Sequence, residues 1–346
     1  MPLEISEHTH EQQPLVVVGT TAMRGEDMPA KGAVAVYEVR TVVPDPDVPE
    51  SGMQLQLLSR EETRGGVTAV ESFLSGLIGT AQGQKIMIRG LKEDGSCLPV
   101  AFLDAQCHTI GLKMFLRSGL WLAADAWKGL WFGSFIEEPF KLAVLGKSRP
   151  MMQVLAAEFV PFDDGLYILV ADAGGVLHCL QYDPDNAKSA GGQRLLHRGA
   201  FHLGDSVTGM RMVPSSLKPL AQQQAMTNGD HPDEESPKLY HVLTTAASGA
   251  VGLLTPLDEA SYRRLSALQT HLTSVLEHAA GLNPRAYRSP DATESGRSAI
   301  VDGEILRRIN EVGSSRRSEV LGRAGMDGWA WRNDAEVLFG GGLGWL

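Results

Sequence analysis

The chain has 346 residues, of which 43% are apolar and 21% charged, and its formal net charge is −10. That length supports one large domain or two ordinary ones with a full core, and the composition excludes a disordered or fibrous chain. The acidic balance excludes broad phosphate-backbone binding, which needs clustered Lys and Arg, so contact with RNA or DNA is expected to be local or made by a partner.

The first residues, MPLEISEHTHEQQP, are acidic and have no apolar core, so they do not read as a signal peptide. Residues 1–13 are expected to form a disordered leader. No apolar run approaches the ~20 residues of a membrane-crossing helix. Cys97, Cys107 and Cys179 cannot all pair with one another and have no metal-type spacing, which fits a reducing cytosol or nucleus.

Five hairpin-like units follow, at 14–39, 76–91, 119–135, 165–184 and 238–256. Each has an apolar strand, a turn of small residues and a second strand. The turns use Gln82-Gly83, Asp125 to Gly129, Asp172 to Gly175 and Ser248-Gly249. Glycine permits positive φ there, and Asp or Ser hydrogen-bonds the turn backbone. The step from Gln82 to Asp125 is 43 residues, from Asp125 to Asp172 it is 47, and from there to Ser248 it is 76. The extra length falls in a polar, disordered-type insertion at 215–237. Further strands are expected before the hairpins, at 66–73, 108–115, 152–160 and 206–213, and after them, at 53–61, 98–105, 140–146 and 193–203. Four strands in about 40–45 residues is the blade signature of a β-propeller. A sandwich also accommodates many short strands, but the repeated strand order and long period favour the propeller. The chain is therefore expected to be mainly β: a partial propeller of about five four-stranded blades over 14–255, the first and last incomplete, followed by an α-helical C-terminal domain over 256–346.

At Thr255 the apolar period changes from two to 3.6. Thr255 is expected to cap a helix, with Pro256 at its first position and Asp258 three residues on. Tyr262, Leu265, Leu268, Leu272, Val275, Leu276 and Ala279 fall on one face, which requires a large partner, the propeller or another subunit. Gly281 is expected to end this helix, and Asn283-Pro284 to block its continuation. A second helix is expected over 302–312, capped by Asp302, and a third over 316–325. The tail carries Trp329, Trp331, Phe339 and Trp345 on a Gly-rich background. It reads equally as a partner surface or as a segment folded back on its own domain.

The stretch YRRLSALQTHLTSVLEHAAGLNPRAYR, followed by VDGEILRRI, resembles the C-terminal domain of the large subunit of the cleavage and polyadenylation specificity factor. GQKIMIRGLKEDGSCLPVAFLDAQ and GTTAMRGEDMPAKGAVAVYEV resemble the blades just before it. Two related proteins share the architecture: the large subunit of the UV-damaged-DNA-binding complex, a ubiquitin-ligase adaptor, and a scaffold subunit of the splicing branch-site complex. AGLNPRAYR is more similar to the 3′-end-processing branch. The resemblance implies the end of a third propeller plus a helical domain wedged between propellers, so Met1 reads as an internal start. It further implies a non-catalytic nuclear scaffold that holds a WD-repeat subunit and a zinc-finger subunit. Those subunits read the polyadenylation signal, so pre-mRNA is met mainly through partners. No cofactor, small-molecule substrate or membrane is implied.

The residues themselves point to no catalytic set. Cys107-His108 and His178-Cys179 lack a second ligand pair, so neither reads as a metal site. Asp125 and Asp172 occupy equivalent turn positions, which makes them turn residues rather than paired acids. The GDSVTG stretch has no strand-to-helix elbow around its serine, and the glycines of FGGGLGWL open no helix. The basic run RRINEVGSSRR is interrupted by an acid and reads as a solvated helix face. The candidates for partner contact are Tyr262, Arg263, Arg285, Tyr287, Arg288, Trp329 and Trp331, since Arg, Tyr and Trp are common interface anchors. For Arg285, Tyr287 and Arg288 the equal alternative is that they pin the post-helix corner to the propeller.

Overall fold

The computed structural model describes residues 15–26, 28–44, 52–74, 76–92, 95–105, 108–115, 118–149, 151–215, 240–289 and 299–339. The leader at 1–13, Cys107, Trp345 and nearly all of the 215–237 insertion lie outside the described residues. Among the described residues the strands pair into five meandering sheets. The first holds β1 (Leu15–Ala22), β2 (Lys31–Thr41) and β3 (Met53–Thr63). The second holds β4 (Val67–Phe73), β5 (Leu77–Gln82), β6 (Lys85–Leu91) and β7 (Cys97–Asp104). The third holds β8 (Thr109–Phe115), β9 (Leu120–Asp125), β10 (Gly129–Ile136) and β11 (Lys141–Lys147). The fourth holds β12 (Val154–Phe162), β13 (Gly165–Asp172), β14 (Val176–Tyr182) and β15 (Leu196–His202). The fifth holds β16 (Val207–Pro214), β17 (Tyr240–Ala246) and β18 (Val251–Leu254). The sheets are propeller-like blades, with three strands in the first and last and four in each of the others among the described residues.

The turns form for the expected reason. Asp125 Oδ1 accepts the N–H groups of Trp127 and Lys128, both at 2.7 Å, and Gly129 takes φ 92°. Asp172 Oδ1 accepts the Val176 N–H at 2.9 Å, and Gly175 takes φ 73°. In the second, third and fourth sheets the pairing of the third strand with the fourth shifts register midway, at Ile88/Arg89, Phe132/Gly133 and Cys179/Leu180. Such bulges sharpen the local twist. At Gly133 the bulge also needs the bare backbone, because a Cβ there would sit 2.2 Å from the Trp121 ring.

The chain divides into two compact units, one of Met1–Ala157 with Pro184–Leu195, the other of Glu158–Asp183 with Leu196–Leu346. In the first, β1 packs on β4 and β4 on β8, so successive sheets stack. Phe73, Ile86, Ile88, Trp121, Phe135 and Leu142 form the core of the second and third sheets. Arg89 is fully buried in this unit, which its sequence context did not signal. Its Nε donates to Glu61 at 3.0 Å and its Nη2 to Gln82 Oε1 at 3.0 Å, while Nη1 bonds Thr80 Oγ1. A buried guanidinium is tolerated because its donors are met.

The second unit carries the helices: α1 (Glu259–Val275), α2 (Pro284–Tyr287), α3 (Gly303–Arg307), α4 (Ser314–Arg323) and α5 (Gly328–Phe339). Three of the local expectations need correction. Asp258, not Thr255, caps α1: its carboxylate accepts the Ser261 N–H at 3.2 Å. The Thr255 hydroxyl is taken instead by His241 Nδ1 at 3.0 Å. The helix ends at Val275, not at Gly281, with Leu276 in extended backbone. Asn283-Pro284 starts a short helix rather than only blocking one, since Asn283 accepts the Arg285 N–H at 3.0 Å and proline suits a first helical position. Asp302 caps α3 as expected, accepting the Glu304 N–H at 2.9 Å.

The apolar face of α1 packs first against the other helical segments rather than on a propeller face. Leu265, Leu268 and Leu272 pack with Ile305, Leu306, Ile309, Val312, Val320 and Leu321, so the helical segments build a core of their own. The tail joins it: α5, absent from the sequence reading, packs Leu338 and Phe339 there. No helix among the described residues is long and apolar enough to cross a membrane.

Two outcomes follow from this packing. Leu272→Ala should destabilise the chain by about 2–5 kcal/mol in denaturant unfolding, because it opens a cavity in a buried cluster. Asp258→Ala should cost about 1 kcal/mol and speed hydrogen exchange at the Ser261 amide. Thr255→Ala should leave that amide's exchange unchanged, and faster exchange there would return the capping role to Thr255.

Candidate interaction surface

The corner after α1 is built around Arg288. Its Nε donates to Asp302 Oδ2 at 3.0 Å, and its Nη1 donates to the carbonyls of His202 at 3.1 Å and Leu203 at 3.0 Å. The Arg288 carbonyl in turn accepts the His202 N–H at 3.0 Å. The guanidinium also lies 5.1 Å from the centres of the Phe201 and Tyr287 rings. Asp302 is buried and engaged on every side: besides capping α3, its own N–H donates to Gln269 Oε1 of α1 at 2.8 Å. One ion pair thus joins the end of β15, the corner, α3 and α1. At the same place Gly199 of β15 comes so close to the chain that a Cβ would meet the Ala299 nitrogen at 2.8 Å.

Of the seven candidate residues, the structure brings Tyr287 and Arg288 into contact. Arg288 points inward, whereas Arg285 and Tyr287 are exposed, Tyr287 to 41%. Arg263 is exposed and pairs with Glu259 one turn back on α1. Tyr262 is half-buried and lines a cavity. Trp329, in the first turn of α5, is 66% exposed. Trp331 is half-buried against the helical core, edge-on to Phe339 with ring centres 6.3 Å apart. Asp327 holds the start of α5 by accepting the Ala330 N–H at 2.7 Å. Asp334, buried in the same helix, accepts two hydrogen bonds from Arg264 Nη2, at 3.1 and 3.3 Å. Burial raises the Asp334 carboxyl above its ordinary value, against the pull of Arg264.

The cavity has a volume of about 730 Å³. Leu169, Leu177 and Cys179 of the fourth sheet, Val251 to Leu254 of the fifth, and Tyr262, Leu306 and Phe339 of the helices line it. Burial pushes the Cys179 thiol up to about 11, against the opposing pull of Arg198, so it stays protonated and is a poor nucleophile. The neighbouring His178 is not placed with Cys179 as a ligand pair. Its Nε2 lies 2.9 Å from Asp172 Oδ2 and its Nδ1 lies 3.3 Å from His197 Nε2, a chain of hydrogen bonds across β13, β14 and β15. Burial raises the Asp172 carboxyl, but the bonds from His178 and the Val176 N–H outweigh it and hold the group below its ordinary value. No cluster of three or more metal-ligating side chains occurs among the described residues.

Sequence reasoning missed Gln269, Asp334 and the cavity. Asp302 carried a readable signal as a cap, and only its second oxygen, turned to Arg288, was not legible. Arg264 and Asp334 are 70 residues apart, and no local pattern joins them.

Comparison with known proteins places this surface in context. A family model described as the CPSF A subunit region matches residues 1–311. The chain is similar to protein cft1 of Aspergillus fumigatus, 45% identical over 348 residues that cover 100% of this chain and 25% of that protein. It is 44% identical to protein cft1 of Neurospora crassa over 338 residues, covering 93% of this chain and 22% of that protein. With protein cft1 of Schizosaccharomyces pombe it shares 32% identity over 339 residues, covering 97% and 23%. The chain therefore spans about a quarter of the length of these curated relatives.

The corner makes Arg288 and Arg285 behave differently. Arg288→Ala leaves Asp302 buried without its cation and should cost about 1–3 kcal/mol in denaturant unfolding. Arg285→Ala should stay within about 0.5 kcal/mol of the parent. The buried His241, bonded to Thr255 and at 2.9 Å to Ser215 Oγ, supplies a pH dependence. Burial lowers its pKa below the ordinary 6.5, so below that value the unfolded chain takes a proton that the folded chain refuses. Stability should fall as pH drops through 6.5 towards the folded pKa. His241→Gln should flatten this part of the curve of unfolding midpoint against pH; an unchanged slope would remove His241 as its source.

Proposed function

The chain belongs to the CPSF A subunit family, and on that footing we propose that it serves mRNA 3′-end processing as a non-catalytic scaffold. The observation that carries this reading is the extent of the match: the family model spans residues 1–311, and relatives named cft1 align over nearly the whole chain. The residues favour recruitment over bond-breaking. The exposed aromatic and cationic side chains, Tyr287, Arg285 and Trp329, are of the types that anchor partners. The Cys179 thiol, by contrast, is held protonated in its apolar surroundings.

On this reading the full-length protein works in the nucleus, within the cleavage and polyadenylation complex. It holds a WD-repeat subunit and a zinc-finger subunit that recognise the polyadenylation signal, and meets pre-mRNA mainly through them. Residues 256–346 act as the helical domain that completes the partner surface, with Tyr262, Arg263, Arg285, Tyr287, Arg288, Trp329 and Trp331 as its candidate contacts. Arg288 contributes by holding the corner that displays Tyr287.

The full-length protein, tagged at its own locus and captured from nuclear extract, should bring down the WD-repeat and zinc-finger subunits. Tyr287→Ala with Trp329→Ala should reduce that recovery severalfold while leaving the unfolding midpoint in place. Capture of a cullin or of splicing proteins in place of both subunits would overturn the reading in favour of an adaptor for ubiquitin ligation or the spliceosome.

A further inference from the structure

Two histidines of the fourth sheet depart from the repeat. The register shift at Cys179/Leu180 sets His197 of β15 opposite Leu180 rather than Gln181. Side chains alternate along a strand, so the shift turns His197 onto the face of β14 that carries His178. The same shift occurs in the second and third sheets. There it puts Pro99 on the face of Met87, and Val144 on the face of Trp131. The positions that match His178 and His197 therefore hold no titratable group in those sheets. The fold is built there without polar side chains, and two facing imidazoles are particular to the fourth sheet.

Their geometry is the second observation. His178 Nδ1 lies 3.3 Å from His197 Nε2. That gap exceeds the usual upper limit of about 3.2 Å for a hydrogen bond from an N–H. It matches the edge of a tetrahedral zinc site, where Zn–N bonds of about 2.0–2.1 Å set two ligand nitrogens about 3.3 Å apart. The ring centres are 5.5 Å apart with the planes at 64°, so the rings meet through their nitrogens and do not stack. Asp172 completes the arrangement, with Oδ2 2.9 Å from His178 Nε2. A carboxylate that accepts the Nε2–H leaves the Nδ1 lone pair facing His197, and a carboxylate behind a ligating histidine fixes its ring and raises its basicity. The His178 and Asp172 side chains are 14% and 17% exposed, which leaves an ion a way in.

We propose that His178 Nδ1 and His197 Nε2 are the two protein ligands of a zinc site on the fourth sheet, with Asp172 as the carboxylate that orients His178 and water in the remaining positions. On binding, both facing nitrogens offer lone pairs, and His197 carries its proton on Nδ1. Two protein ligands are fewer than the four of a closed structural site, so the affinity is micromolar rather than nanomolar. The ion ties β14 to β15, the strand whose last residue, His202, gives a carbonyl to Arg288. The inference does not depend on the RNA-processing reading.

The test uses the 346-residue chain with His8→Gln and His10→Gln, because the HTH of the leader offers imidazoles of its own. Zn²⁺ is titrated in and followed by calorimetry at about pH 7.5, where imidazole is neutral. One saturable site in the micromolar range is expected. His178→Gln and His197→Gln should each weaken it at least about tenfold, and Asp172→Asn by about tenfold. His271→Gln, on α1, should leave it unchanged. Binding should weaken as pH falls below about 6.5, where protons compete for the rings. Imidazole also suits Cu²⁺, and its paramagnetic resonance spectrum in the same chain should show two imidazole nitrogens, a readout that needs no substitution at the site. The proposal is overturned by no saturable binding of Zn²⁺, by binding that survives loss of both histidines, or by fewer than two imidazole nitrogens on Cu²⁺. Equal loss in His271→Gln would mark an adventitious ion only and overturn it as well.

Discussion

The Arg288–Asp302 pair is the constraint on which the helical unit depends. Asp302 is almost wholly buried, so its charge must be met inside the protein. Arg288 meets it, and the same guanidinium reaches two carbonyls at the end of β15. Asp302 meanwhile caps α3 and accepts nothing from α1, to which it donates its own N–H through Gln269. The apolar cluster of Leu265, Leu268, Leu272, Ile305 and Leu306 supplies most of the stabilisation, but apolar contact is nondirectional. The hydrogen bonds of the pair fix where that cluster meets the end of β15. Removing one partner costs more than the pair contributes, since the other is left buried without it.

The strand-rich part obeys a second constraint, that a buried charge is met by hydrogen bonds. Arg89 is the clearest case: it sits fully buried because Glu61, Thr80 and Gln82 surround it. The repeated register shifts between third and fourth strands serve the same sheets by increasing twist. At the fifth sheet the pattern stops short, and the chain leaves β18 for α1. Among the described residues that sheet holds three strands, and an apolar cavity borders the last of them.

Function in this family is recruitment on the proposed reading, and the corner motif shows how a scaffold divides its residues. Neighbours in sequence do opposite work. Arg288 turns inward and organises the fold, whereas Tyr287 and Arg285 turn outward and are available to a partner. Trp329 stands exposed on α5, while Trp331, two residues on, packs inward against Phe339. In both places the rigid half of the motif presents the exposed half without a large loss of side-chain freedom on binding.

By itself the sequence determined the succession of strands and turns, the change of period after Thr255 and the capping role of Asp302. These are short-range properties: alternation, positive-φ glycines and a carboxylate two residues from the N–H it accepts act within a few positions. It also carried the family resemblance, which the match over residues 1–311 bears out. Only the tertiary structure decided that Asp258 rather than Thr255 caps α1, because the competing claim on Thr255 comes from His241, 14 residues away. It likewise decided that α1 buries its face among other helices, that residues 328–339 form a helix, and that Arg288 is an internal clamp whose carbonyl partner lies 86 residues back. The physical reason is the same in each case. A side chain's direction is set by whichever partner the folded chain brings within hydrogen-bonding or packing distance, and that partner is not its neighbour in sequence.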